Sequence, residues 1–138
     1  MDKGKSARRV LVTGAGSGLG RAIAERLAGS GDEVTGTVRS PERAAALTDQ
    51  ARLAGLPLRF LPLELSATEQ IHATARTLEA EGGIDVLVHN AGFGIFGAIE
   101  QTDGEATSRQ FAVNLFGPLE LTRLLLPGLR TRGGGGGW

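Results

Sequence analysis

Short apolar runs alternate along this chain with longer stretches in which apolar residues recur every three or four positions. The runs Arg9–Thr13 (RVLVT), Glu33–Val38 (EVTGTV), Leu58–Leu63 (LRFLPL) and Ile84–His89 (IDVLVH) are β-branched or leucine-rich. Gly, Pro or Asp brackets most of them, so they read as strands. After the first, Leu19, Ile23, Leu27 and Ala28 share one face at helical spacing. Ser40–Pro41 places a capping hydroxyl before a proline suited to a first helical turn. Ser66 with Glu69, and Thr102 with Glu105, match the capping box. The last pattern predicts a helix from Asp103 toward Arg130, kinked or broken near Gly117–Pro118 and again near Pro127. The order βαβαβαβα predicts a parallel sheet with right-handed crossovers, an α/β layered domain. No internal repeat is visible.

Composition narrows the chemistry. The chain has 138 residues, a length that suits one domain. Fifteen Lys and Arg balance fifteen Asp and Glu, so net charge recruits neither nucleic acid nor an anionic membrane. With no cysteine, disulfides, thiol catalysis and cysteine-ligated metals are excluded, and no metal site is expected. With no tyrosine, phenolic acid/base chemistry is excluded as well. Only three apolar residues, Val10–Val12, follow the basic start at Met1–Arg9. That is too short for a signal peptide, and no apolar stretch approaches the ~18 residues of a membrane span. The expectation is a cytoplasmic protein with a short disordered lead-in. Glycine is in excess, 22 residues or about twice its usual ~7% share. Five of these form the run Gly133–Gly137 before Trp138, so residues 133–138 are expected to be a disordered tail. Residues 1–132 would then form the folded part.

Other glycines carry a site. The first strand runs directly into Thr13-Gly14-Ala15-Gly16-Ser17-Gly18-Leu19-Gly20, which opens the first helix. Glycines permit a tight turn and close backbone approach, and a helix N-terminus presents unpaired N–H groups to a pyrophosphate. A lone glycine pattern is also met as a plain strand–helix turn; the strand before it and the helix after it favour dinucleotide binding. In NAD-binding domains a carboxylate about 20 residues beyond the glycines takes the ribose hydroxyls. Here the second strand ends in Arg39, with no acid until Glu42. A guanidinium about 4 Å from a 2′-phosphate gains about 1–4 kcal/mol, depending on the effective dielectric. That is roughly tenfold to several-hundredfold in cofactor preference, so NADP(H) is expected over NAD(H). The alternative is a solvated arginine at a strand end.

Three more segments make a pattern specific. His89-Asn90-Ala91-Gly92 ends the fourth strand, Phe93-Gly94-Ile95-Phe96-Gly97 follows, and Val113-Asn114-Leu115-Phe116-Gly117-Pro118 lies in the last helix. With TGAGSGLG at 13–20, the chain up to Arg132 resembles the short-chain dehydrogenase/reductase family. It is similar in particular to the branch of 17β-hydroxysteroid dehydrogenases and related NADP-dependent ketoreductases. The resemblance implies a Rossmann-like, doubly wound parallel sheet of order 3-2-1-4, truncated after the fourth strand and its following helix. It also implies that Gly14, Gly18 and Gly20 shape the pyrophosphate turn beside Leu19, with Ser17 and Arg39 around the 2′-phosphate.

Glu64-Leu65 occupies the place where the family has Asp and an aliphatic residue against adenine. Glutamate is one methylene longer, so Glu64 is either that contact or a solvated residue before a helix. Asn90, Ala91 and Gly92 would line the cofactor beside the nicotinamide ribose. His89 replaces the family's first asparagine and reads either as a structural strand-end histidine or as a general base; His72 reads as a surface residue. Phe93, Ile95 and Phe96 would form an apolar lip for a hydrophobic carbonyl or alcohol, or would pack in the core. Asn114 is the retained member of the family's catalytic set, which holds a water in a proton relay.

The family's chemistry is hydride transfer between nicotinamide and a carbonyl or alcohol, with a tyrosine as acid/base, a lysine four residues on and a serine orienting the substrate. No Tyr-x-x-x-Lys can form here. The expectation is therefore a chain that binds NADP(H) without turnover. A truncated enzyme is the favoured explanation, with a one-base slip turning a Gly-Val-Val stretch into Gly-Trp-stop. A non-catalytic NADP(H)-binding or sensor module, and an inert or engineered fragment, are the others. Without a fifth strand the fourth is a bare apolar edge, so aggregation or non-native dimerisation is expected. The family's usual oligomer contacts involve the fourth and fifth helices, and only the fourth is present, so a homo-oligomer or aggregate would form through the exposed fourth strand.

Overall fold

A computed structural model describes residues 6–133; the expectations for Met1–Lys5 and Gly134–Trp138 lie outside the described residues. Four parallel strands form one sheet in the order β3-β2-β1-β4: β1 (Arg9–Val12), β2 (Glu33–Val38), β3 (Leu58–Pro62) and β4 (Val86–Val88). Five α-helices accompany it: α1 (Gly18–Gly29), α2 (Pro41–Leu53), α3 (Thr68–Ala80), α4 (Gly104–Phe111) and α5 (Gly117–Thr131). This is the Rossmann-like arrangement the sequence implies. The strand order reverses at β1, which has β2 on one side and β4 on the other. Alternation along each strand divides the core. Val10 and Val12 pack with Ala24 and Ala28 of α1 and Ala44 and Leu47 of α2, whereas Leu11 faces Ile71 and Leu78 of α3 and Leu121, Leu125 and Leu129 of α5.

Several local expectations shift. The lead-in stops earlier than Arg9, because Arg8 pairs with Asp32 at 2.6 Å and Arg9 already belongs to β1. In α1 the buried row is Gly20, Ala24 and Ala28, and Leu19 is 71% exposed. Ser40 caps α2 as expected, accepting from Arg43 N at 3.2 Å. The capping box at Ser66–Glu69 does not form. Ser66 Oγ donates instead to Glu64 Oε1 at 3.0 Å, and α3 begins after Ala67, which has no side-chain acceptor. Asp103, not Thr102, caps α4; its Oδ1 accepts from Ala106 N at 2.6 Å.

The long last helix is interrupted once, at a wide π-helical turn over Ala112–Phe116, where Gly117 N–H reaches back to Ala112 O. Pro127, predicted as a second break, lies inside α5 without ending it. An interior proline costs about 3 kcal/mol. Burying Leu121, Leu125 and Leu129 stabilises the helix by about 1.5–3 kcal/mol each, which outweighs that cost. No helix among the described residues is long and apolar enough to cross a membrane.

Candidate functional site

The carboxyl ends of the strands open onto a cleft of about 950 Å³. Its walls come from the glycine loop (Gly14, Gly16, Ser17), the end of β2 and start of α2 (Thr37–Ser40, Arg43), Leu63–Leu65, Asn90–Phe93, and Arg109 and Val113. Most residues singled out by sequence meet here. Gly18, Leu19 and Gly20 stand behind the wall, in the first turn of α1.

Hydrogen bonds to two threonine hydroxyls fix the loop. Thr13 Oγ1 accepts from Asn90 N (3.1 Å) and Ala91 N (3.2 Å), while Thr13 N donates to Val88 O at 3.0 Å. Thr37 Oγ1 accepts from Gly14 N at 3.3 Å. Asn90 Nδ2 donates to Thr13 O and Gly14 O at 3.2 and 3.0 Å. The loop therefore lies against the end of β4 with no room between them. A Cβ at Gly14 would stand 2.7 Å from Ala91 Cα, and one at Gly20 would stand 2.2 Å from Gly14 O and 2.3 Å from Asn90 Nδ2. Gly14 and Gly18 also hold φ of +64° and +55°, where L side chains are strained.

Behind this loop, α1 begins with its N–H groups free of any side-chain cap and with no acid in its first turn. An anion there meets the helix dipole unopposed. Ser17 is exposed at that terminus, and Arg39 and Arg43 stand on the adjoining wall. The donor set fits a phosphate: backbone amides, a hydroxyl and the guanidinium groups of Arg39 and Arg43, with Glu64 the single acid among the described residues that line the cleft.

Glu64 is turned back on its own chain, its Oε1 accepting from Ser66 N (3.3 Å) and Oγ (3.0 Å), with Arg109 Nη2 3.9 Å from Oε2. It is three-quarters buried and lines the cleft, held by its own chain rather than solvated. Leu65 is buried, and its carbonyl lies where a Cβ at Gly117 would approach to 2.2 Å. Arg109 stands over the Phe93 ring at 5.9 Å from its centroid.

Asn114 lies within the π turn. Its Oδ1 accepts from Phe93 N at 2.9 Å and its Nδ2 donates to Phe93 O at 2.6 Å. The lip residues are exposed rather than packed in the core: Phe93 39%, Ile95 36% and Phe96 96%. His89 Nε2 lies 2.7 Å from Thr122 Oγ1. Thr122 donates its own proton to Pro118 O, so the imidazole supplies the N–H of that bond. Desolvation against α5 holds the His89 pKa below the usual imidazole value. Outside the cleft lining, His72 Nε2 lies 2.8 Å from Glu120 Oε1, more engaged than a plain surface residue. Arg123 and His72 together hold the Glu120 carboxyl below its usual range.

Sequence reading missed Thr13 and Thr37 as loop anchors, and Arg43 and Arg109 as wall residues. Spacing offered a signal for Arg43, four residues after Arg39 in the first turn of a capped helix. Arg109 approaches Glu64 only through tertiary packing.

A model of the short chain dehydrogenases matches residues 8–136. This chain belongs to that family. Among the family's members, estradiol 17-beta-dehydrogenase 1 of Rattus norvegicus is 36% identical over 132 residues, covering 91% of this chain and 38% of the rat protein. A short-chain dehydrogenase from Streptomyces avermitilis superposes with a TM-score of 0.84 at 41% identity, over 94% of this chain and 47% of that one. L-Sorbose reductase from Gluconobacter frateurii, complexed with NADPH and L-sorbose, superposes with a TM-score of 0.85 at 29% identity, over 96% and 51%. The chain thus spans about two fifths to half the length of these relatives. Members of this family are oxidoreductases, and the L-sorbose reductase binds NADPH.

Proposed function

We propose that this chain is the NADP(H)-holding part of a short-chain dehydrogenase that moves hydride between NADP(H) and a hydrophobic ketone or alcohol. The observation that carries this reading is the cleft itself, where an uncapped helix N-terminus, a glycine loop with no space for a side chain at Gly14, Gly16 or Gly20, and Arg39 and Arg43 face one opening. Gly14, Ser17, Gly18, Leu19 and Gly20 would hold the pyrophosphate, Arg39 the 2′-phosphate, Glu64 and Leu65 the adenine side, and Asn90, Ala91 and Gly92 the nicotinamide ribose. The bound nicotinamide supplies the hydride. Phe93, Ile95 and Phe96 would exclude water above the reacting carbonyl, which favours an apolar substrate. Asn114 keeps Phe93 in place at the mouth.

The proton that accompanies hydride needs an acid, and this sequence has no tyrosine to provide it. His89 is tied to Thr122 at the strand end and does not line the cleft. The chain by itself is therefore expected to bind NADP(H) without reducing a ketone. Thermal unfolding with and without NADPH, run beside a ketone-reduction assay, tests this. Ligand at 100 times Kd adds about 2.7 kcal/mol and raises Tm. An unchanged Tm at saturating NADPH, or steady turnover, contradicts the proposal.

A further inference from the structure

We propose that Arg43 is a second 2′-phosphate-binding residue, acting beside Arg39 and at the same time holding the glycine loop closed. This rests on the NADP(H) reading and adds a residue that sets cofactor preference. Arg43 lies in the first turn of α2, where Ser40 Oγ accepts its backbone N–H at 3.2 Å. Arg39 stands four residues earlier at the end of β2, and both line the cleft together with Ser17. The Arg43 side chain reaches across to the loop and its Nη2 donates to Gly16 O at 2.6 Å.

Space confines that approach. Gly16 is buried, and a Cβ there would stand 2.6 Å from Val38 Cγ1 and 3.2 Å from Arg43 Nε. The guanidinium thus lies directly on the loop backbone. A guanidinium has five N–H donors, and one of them serves Gly16. No acid neutralises it among the described residues: the neighbouring Glu42 carboxylate instead accepts from Ser40 Oγ at 2.9 Å. An uncompensated guanidinium with free donors, at the mouth where Ser17 and Arg39 also stand, is suited to a dianionic monoester. Because the same side chain fixes Gly16 O, a phosphate held by it would sit directly against the braced loop.

The test is equilibrium binding of 2′,5′-ADP and 5′-AMP, which differ only in the 2′-phosphate, to the full chain and to Arg43→Gln, Arg43→Lys and Arg39→Gln. Arg43→Gln is expected to weaken 2′,5′-ADP about tenfold and 5′-AMP less than threefold, and to flatten the salt dependence of the former. Arg43→Lys, which keeps the charge but not the fork, should recover part of the loss. An equal weakening of both nucleotides would make Arg43 a loop brace alone and overturn the proposal; so would no change in either. If the parent fails to prefer 2′,5′-ADP and Arg39→Gln changes nothing, the NADP(H) reading fails together with this one. If Arg39→Gln abolishes the preference while Arg43→Gln leaves it intact, only the role of Arg43 is refuted.

Discussion

Asn114 closes on the backbone of Phe93 through both ends of its amide, accepting from Phe93 N at 2.9 Å and donating to Phe93 O at 2.6 Å. The π turn at Ala112–Phe116 is the irregularity at which this amide meets Phe93. A helix defect, a loop and the cleft mouth are thereby joined in one contact.

Truncating that amide should free the loop. Each bond is worth about 0.5–1.5 kcal/mol net, so Asn114→Ala is expected to cost about 1–2 kcal/mol at this exposed position. Hydrogen exchange should show Phe93 N–H losing protection while the β1 amides keep theirs. Unaltered protection at Phe93 would mean that the clamp does not order the loop.

Two glycines of the loop should respond unequally to alanine. Gly20→Ala drives a methyl into Gly14 O and Asn90 Nδ2, backbone and amide that have nowhere to move. Such overpacking costs about 1–3 kcal/mol or more, and it should abolish nucleotide binding. At Gly18 a Cβ meets nothing within 4 Å, so Gly18→Ala carries only the strain of φ +55°, about 1–2 kcal/mol. Urea unfolding of the two variants, followed by NADPH titration, checks the order. Equal losses would contradict it.

His89 predicts a pH effect with a definite sign. Its folded pKa lies below the unfolded value of about 6.5 because desolvation disfavours the imidazolium. Between those two values the unfolded chain binds more protons, so the stabilising contribution is complete above pH ~7 and declines as pH falls through 6.5. His89→Gln should flatten the change in Tm between pH ~7.5 and ~5.5 relative to the parent. A parent and variant that lose stability in parallel would remove His89 as the cause.

The edge formed by β4 bears on association. Val86, Leu87 and Val88 are half-buried, and β4 ends the sheet among the described residues. Bare apolar edges pair with other chains. Sedimentation velocity over a concentration series should show self-association, reduced by Val88→Lys. A concentration-independent monomer contradicts this expectation.

A parallel α/β sheet and a glycine turn opening the first helix were legible in the residues themselves, whereas the strand order and the gathering of Ser17 and Asn90–Gly92 around one cleft were implied by the family resemblance. The first two follow from apolar runs alternating with helical spacing and from a motif of short-range geometry. Less legible were features decided by local competition for a partner or by tertiary packing. Leu19 belongs by spacing to an apolar face, but the loop turns it outward. Ser66 matches a capping box, yet the nearby Glu64 carboxylate takes its hydroxyl. Pro127 reads as a break, and three leucines packed against α3 carry the helix through it. Thr13 looks like a strand end, and only the fold brings it 77 positions along to Asn90.

The most direct measurement is titration of NADPH and NADH into the parent chain and Arg39→Asp. The parent should prefer NADPH roughly tenfold to several-hundredfold, the range expected for a guanidinium near the 2′-phosphate. Arg39→Asp should cancel or invert that preference. A preference left unchanged in Arg39→Asp, or a parent that binds neither nucleotide, would contradict an NADP(H) site built on this loop.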